Sequence, residues 1–378
     1  MTTSIHTLDT PVAVVDVARM NRNIQRMQQR ADSLGVRLRP HVKTTKCAQV
    51  VEAQIQAGAQ GVTVSTLKEA QAFFAQGVTD ILYAVAMAPN KLAHALDLRR
   101  AGCALIIVTD SVAGARAIVE FGRAHDERFE VFIEIDSDHH RSGVRSDDPL
   151  LVDIAKVIHE GGAVLKGVMT HAGESYKLNT LEALQEIAEL ERSECVNAAE
   201  AIRAAGIPCP EVSVGSTPTA LSAVHLEGVT ELRAGVYVFF DLVMHNVGVC
   251  ALDDLALSVL TTVIGHQPDK GWIITDSGWM AMSRDRGTQA QQCDFGYGLV
   301  CDSNGTLIDG LLLRSANQEH GVASFEEGTS VDIEKLYPIG TQLRVLPNHA
   351  CATGAQYPAY EALQPNGEVA HWSRVNGW

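Results

Sequence analysis

Residues Val36–Ser65 read VRLRPHVKTTKCAQVVEAQIQAGAQGVTVS. The stretch opens on an apolar, β-leaning run, Val36–Val42, and breaks at Lys43 and two threonines. It continues through AQVVEAQIQAG with helical spacing and closes on a second β-branched run, Gly61–Ser65. Strand, helix, glycine, strand is one phrase of the βα rhythm that builds a parallel sheet. The phrase recurs as far as residue 240, with strands predicted at Asp80–Val85, Ala104–Thr109, Phe129–Ile135, Val164–Thr170, Glu211–Val214 and Glu231–Ala234. Eight strands close a barrel. The intervening segments LKEAQAFFAQG, KLAHALDLRRAG and SVAGARAIVEFG each end on glycine, which accepts the left-handed turn after a helix at no steric cost. Thr44 and Thr45 are expected to begin the first of these helices. A doubly wound open sheet has the same rhythm, but no GxGxxG follows the first strand to support it. The fold predicted is α/β, a (β/α)8 TIM barrel.

Beyond residue 250 the pattern changes. LALSVLTTVIGHQPDKGWIITD, GYGLVCDSNGTLIDG, GTQLRVLPNHACAT and ALQPNGEVAHW are strand-like runs turned by PDKG, SNGT and PNGE. Asn-Gly at a turn is a hairpin signal, so a C-terminal, mostly antiparallel β domain is expected. The run TPVAVVDV near the start precedes the barrel strands and is expected to pair with that domain. The boundaries drawn are 11–245 for the barrel and 246–378, with 1–10, for the β domain.

The 378 residues are 46% hydrophobic and 20% charged, the balance of a chain that buries a sizeable core. A formal charge of -15 works against non-specific attraction to nucleic acid or anionic lipid, so an anionic ligand must meet a local positive pocket. No basic segment with an apolar core and cleavage site marks a secretory signal. The most apolar stretch, AGVYVFFDLVMHNVGVCAL, is cut by Asp241 and His245 and makes no clean bilayer span. Eight cysteines lie scattered without a CxxC pair, which reads as reduced thiols in a cytoplasmic protein.

In a (β/α)8 barrel the chemistry sits at the C-terminal ends of the strands. Lys43 follows the first strand; DSDHHRSGV, with Arg141, follows the fifth; THAGESY, with His171 and Tyr176, follows the sixth. VGSTPT, with Gly215, Ser216 and Thr217, follows the seventh, and AGVYVFFD, with Gly235 and Tyr237, the eighth. The last two loops are small and glycine-rich, at the barrel position that commonly holds a phosphate. GSTPT reads equally well as a turn leading into an N-capped helix with Pro218 near its start. A lysine at a strand end is usually a solvated terminus, yet a lysine facing a phosphate cup has the ingredients for a Schiff base with pyridoxal phosphate. In PNHACAT, His349 and Cys351 stand two apart on a predicted strand or its exit, so that both side chains face one way. Imidazole and thiolate at that spacing suit a divalent metal, with a buried thiol beside a hydrogen-bonded histidine as the other reading.

Taken together, PHVKTTK, IDSDHHRSGV, MTHAGESY, VGSTPT, ELRAGVYVFFD, DSG, QEHG and LPNHACAT resemble, nearly end to end, the fold-type III pyridoxal phosphate enzymes of the alanine racemase superfamily. Within it they resemble the D-serine dehydratase and D-threonine aldolase group. The resemblance implies a homodimer using pyridoxal 5'-phosphate and a divalent metal (zinc, manganese, cobalt or magnesium) on a D-3-hydroxy amino acid. Lys43 would carry the cofactor as catalytic residue, Arg141 would lie near its phenolic oxygen, and Tyr176 near the ring or substrate. Gly215, Ser216, Thr217, Gly235 and Tyr237 would bind its phosphate; His349 and Cys351 would bind the metal. Cysteine at position 351, where aldolases of the group tend to carry aspartate, implies water elimination: oxaloacetate from D-threo-3-hydroxyaspartate, pyruvate from D-serine. Aldol cleavage is the alternative.

Overall fold

The computed structural model describes residues 4–326, 329 and 331–378. The chain forms two compact units, one of Gln25–Gly235 with Gly377–Trp378, the other of residues up to Ile24 with Val236–Asn376.

In the first unit, eight parallel strands follow one another around a sheet: Arg37–Leu38, Val62–Val64, Asp80–Ala86, Ala104–Thr109, Glu130–Ile135, Val164–Thr170, Glu211–Val214 and Glu231–Leu232. The last pairs with the first, Arg37 opposite Glu231. The seam between the first two strands is one bridge, His41 to Thr63. There Val42 N–H donates to the Thr63 carbonyl at 2.9 Å and Thr63 N–H to that of Pro40 at 2.8 Å. The sheet therefore closes on itself, as the eight predicted runs require. The first strand departs most from prediction, forming only Arg37–Leu38 of the expected Val36–Val42, because Pro40 has no N–H to give a ladder.

Two local expectations are corrected. Thr44 and Thr45 lie in a turn, and the first barrel helix begins only at Ala48. Lys46 N–H closes that turn on the Val42 carbonyl at 2.8 Å, and Lys46 has φ +48°, a left-handed step that no right-handed helix can contain. The helix predicted to end at Gly122 runs from Val112 to His125, with Asp126 taking the left-handed position. Gly122 serves close approach instead: a Cβ there would lie 2.6 Å from the Glu127 carbonyl oxygen. A helix that the sequence reading passed over, Val17–Ser33, precedes the barrel and buries Val17, Met20, Ile24, Met27 and Ala31 at helical spacing.

The barrel interior has two characters. Leu82, Ile106, Val108, Phe132 and Met169 make an apolar cluster. On the other side Glu231, fully buried, accepts from Arg39 Nε at 2.7 Å and Arg37 Nε at 2.8 Å. Arg39 forks onto Asp80 at 2.7 and 2.9 Å. Ser213 donates to Glu231 at 2.7 Å and accepts from Arg233 Nε at 2.8 Å, so paired charges run from Asp80 to Arg233.

The second unit is built on a nine-stranded sheet. Leu257–Gln267, Trp272–Thr275, Gly321–Ser324, Leu307–Ala316, Gly298–Asp302 and Gln342–Pro347 form an antiparallel ring, closed because Trp272–Thr275 also pairs with Leu257–Gln267. Val12–Asp16 extends it, antiparallel to Leu257–Gln267 and parallel to Ala359–Leu363, so the early strand does join the β unit. PDKG, SNGT and PNGE turn with Gly271, Gly305 and Gly367 at φ +64°, +87° and +83°. Among the described residues no helix is long and apolar enough to cross a membrane.

Candidate active site

At the C-terminal ends of the barrel strands, His171 is the residue with which Lys43, Arg141, Tyr176 and Gly215 all interact. It follows the strand Val164–Thr170, and its Nδ1 donates to the Gly215 carbonyl at 2.9 Å, which leaves Nε2 as the ring's acceptor. The Tyr176 ring lies 5.9 Å away, centroid to centroid. Burial, then the charges of Lys43, Arg141 and Arg233, push the His171 imidazole down to about 3 against the one opposing bond to Gly215. His41, two residues before Lys43, is held well below its ordinary value by burial and by Lys43, Arg233 and His171. Lys43 N–H reaches His41 Nδ1 at 3.4 Å. Gly235 lies against the same residue, since a Cβ there would stand 2.8 Å from the His41 carbonyl oxygen. Lys43 is half-buried and Arg141 exposed.

The loop GSTPT is buried throughout. Gly215 has φ +139°, and a Cβ would lie 1.9 Å from the Arg233 carbonyl oxygen, so only glycine lets the two strands approach. Ser216 caps the helix Thr217–Ser222 in a capping box with Thr219, Pro218 at its start, as the plainer reading of the motif anticipated. The Ser216 N–H is taken by Thr219 Oγ1 at 3.0 Å and the Gly215 N–H by Glu191 at 3.2 Å. Both amides are thus spent inside the fold, and these residues shape the cup. Burial first, and then the charges of Lys43 and Arg233, keep both His41 and His171 neutral, and a place with these cations and Arg141 fits an anionic, phosphate-bearing cofactor.

Tyr237 belongs to the other unit, where it is fully buried in the turn Val236–Val238. That unit also carries the proposed metal pair. The strand Gln342–Pro347 stops at its proline, His349 is the N-cap of the helix Ala350–Gly354, and Cys351 lies in its first turn. The two side chains therefore meet by helix-cap geometry, rather than by the strand alternation expected, and they share a hydrogen bond. His349 Nδ1 is 2.6 Å from Asp285 Oδ2, the outer partner that typically orients a metal-binding histidine. Buried Asp241 accepts from the Ala350 N–H at 2.9 Å and caps the helix Leu242–Val247 through Met244 N–H. Burial works against charge on His349, yet Cys351, Asp285 and Asp241 outweigh it and raise the imidazole to about 11. A place that favours positive charge so strongly fits a divalent cation. Among the described residues no group of three or more His, Cys, Asp or Glu side chains converges as metal ligands, so a metal here would keep open positions.

The alanine racemase N-terminal domain family matches residues 15–243, and a putative serine dehydratase domain matches 256–363. The chain belongs to the alanine racemase N-terminal domain family and carries a serine dehydratase domain behind it. The D-threo-3-hydroxyaspartate dehydratase of Delftia sp. is 64% identical over the whole of both chains. Its solved structure superposes with a TM-score of 0.98, covering 99% of this chain and 100% of that one. A cysteine-to-alanine variant of that enzyme is described in a metal-free form. The D-serine dehydratase of Dictyostelium discoideum is 28% identical over 98% of each chain, and the D-threonine aldolase of Arthrobacter sp. 29% identical over 92% of this chain and 86% of its own.

The sequence reading noted His171 without giving it a part, and did not pick out His41, Arg233, Glu191 or Asp285. His41 and His171 stand in the quoted motifs at strand ends, where the barrel rule would have found them. Asp285, in the loop SRDRG, has no pattern to betray it.

Proposed function

We propose that the protein is a pyridoxal phosphate- and divalent metal-dependent dehydratase. It would convert D-threo-3-hydroxyaspartate to oxaloacetate and ammonia, and D-serine to pyruvate and ammonia. The observation that carries this is the 64% identity, end to end, to a dehydratase of that substrate, in a chain whose Lys43 lies among groups that suit an anionic cofactor. Cofactor binding is assigned to the segment 11–245 and the metal pair to the segment 246–378 with 1–10.

When bound, the cofactor supplies a sink for the electron pair left at Cα, and the metal a Lewis acid for the departing 3-oxygen. Lys43 Nζ would hold the cofactor through its carbonyl and would be the base for the Cα proton. His41 and His171, neutral by burial and by their cationic neighbours, do not compete for that proton. Arg141 would lie near the phenolic oxygen, and Tyr176 near the ring or the substrate. Gly215, Ser216, Thr217, Gly235 and Tyr237 are assigned to the phosphate. His349 and Cys351 would hold the metal, with Asp285 orienting the imidazole through Nδ1. Net loss of water, then its return on release of ammonia, balances the conversion to a 2-oxo acid.

Incubation with D-threo-3-hydroxyaspartate, D-serine and D-threonine tests the proposal. It expects 2-oxo acid from the first two; acetaldehyde and glycine from D-threonine, with no 2-oxo acid from the others, would establish the aldolase instead. The same proposal includes a cytoplasmic homodimer, supported by the resemblance and by eight cysteines of which none forms a disulfide. A monomeric mass by light scattering would reject the dimer.

A further inference from the structure

Glu191 lies within the long helix Leu181–Ala204, 2% exposed, and its Oε1 accepts two backbone donors: Ala172 N–H at 2.8 Å and Gly215 N–H at 3.2 Å. The first amide directly follows His171; the second belongs to the GSTPT loop. Thr219, on the short helix behind that loop, bonds the same carboxylate. Two further links join these loops, His171 Nδ1–H to the Gly215 carbonyl and Ser175 Oγ to Ser216 Oγ, both at 2.9 Å. A carboxyl group buried without a salt-bridge partner is costly to keep. An apolar side chain would avoid that cost but would strand both amides.

Resting on the cofactor reading above, we propose that Glu191 is a positioning residue that locks the imidazole loop, 171–177, to the phosphate loop, 215–219. The two then form one rigid wall of the cofactor cradle. The phosphate group, by docking on one loop, fixes His171 on the other. Binding energy gained at the phosphate is thereby used to place the ring end of the site.

Burial pushes the Glu191 carboxyl up to about 7, so a neutral amide is close to its working state. Glutamine can accept both N–H groups on Oε1 and donate to Thr219, whereas leucine can do neither. The experiment titrates cofactor-stripped wild type, Glu191→Gln and Glu191→Leu with pyridoxal phosphate and with pyridoxal, following absorbance. In Glu191→Leu, affinity for pyridoxal phosphate should fall about 10- to 100-fold, as expected for two lost buried hydrogen bonds, with pyridoxal affinity little changed. Glu191→Gln should bind like wild type. Equal affinity of Glu191→Leu and wild type for pyridoxal phosphate overturns the inference, as does an equal loss for both compounds. A wild type that binds neither compound removes the cofactor reading itself and this inference with it. Should Glu191→Leu not fold, amide exchange on the wild type decides. Slow exchange at Ala172 and Gly215 supports the tether, and free exchange at either overturns it.

Discussion

The molecule holds histidines in two opposite states. At the barrel mouth, burial and three cations push His171 down to about 3; in the β unit, a thiol and two carboxyl groups lift His349 to about 11. The imidazole is the same, and the difference is the sign of what surrounds it. An acidic protein has made one positive place for an anion and one negative place for a cation. Each suits a different kind of partner, the first the proposed phosphorylated cofactor and the second the proposed metal.

The first way to break that comparison is to remove Lys43, the group proposed to join the cofactor to the positive region. Lys43→Ala should lower kcat by about 1,000-fold or more. The protein should also lose its yellow absorbance, and borohydride should no longer leave a cofactor adduct at position 43. Next comes the negative region. His349→Ala should cost about 100- to 1,000-fold in 2-oxo acid formation while leaving the cofactor colour intact, because only the Lewis acid is lost. Exhaustive chelation of the wild type should do the same; full activity after it would reject the metal's part.

Asp285→Asn is a gentler cut. It keeps the shape beside His349 but weakens the acceptor, so metal affinity measured by competition with a chelator should fall about 10- to 100-fold. The smallest effect concerns pH. The folded chain refuses a proton at His171 until about pH 3, whereas the unfolded chain takes one up near 6.5. Below 6.5 the unfolded state binds more protons, so this group's contribution is full above 6.5 and is lost as pH falls from 6.5 toward 3. His171→Gln should flatten the dependence of Tm on pH in that window, and an unchanged slope would contradict the desolvated imidazole.

The βα rhythm and the Asn-Gly turns were legible because they are local: periodicity of two or of 3.6, with glycine at the stops, depends on residues close in sequence. The closed barrel and the antiparallel character of the second unit followed from such signals, whereas the pairing of Val12–Asp16 with Leu257–Gln267 joins strands far apart in sequence and no local signal dictates it. Where prediction failed, a backbone detail that periodicity does not report had decided. Gly122 looked like a helix end until the Glu127 carbonyl came against it, and Thr44 looked like a helix start until Lys46 turned left-handed. The site shows the same division. Lys43, Arg141, His349 and Cys351 sit in recognisable motifs, but Glu191 lies mid-helix among many other glutamates, and only its meeting with Ala172 and Gly215 sets it apart.

For anyone randomising this chain to shift its substrate range, Gly215 marks a closed door. With a carbonyl oxygen 1.9 Å from where a methyl would begin and φ at +139°, no other residue fits without displacing the neighbouring strand. Variation at that position would fill a library with misfolded members, whatever gain in selectivity was sought. Diversity is better placed elsewhere, with the glycine held fixed as part of the scaffold.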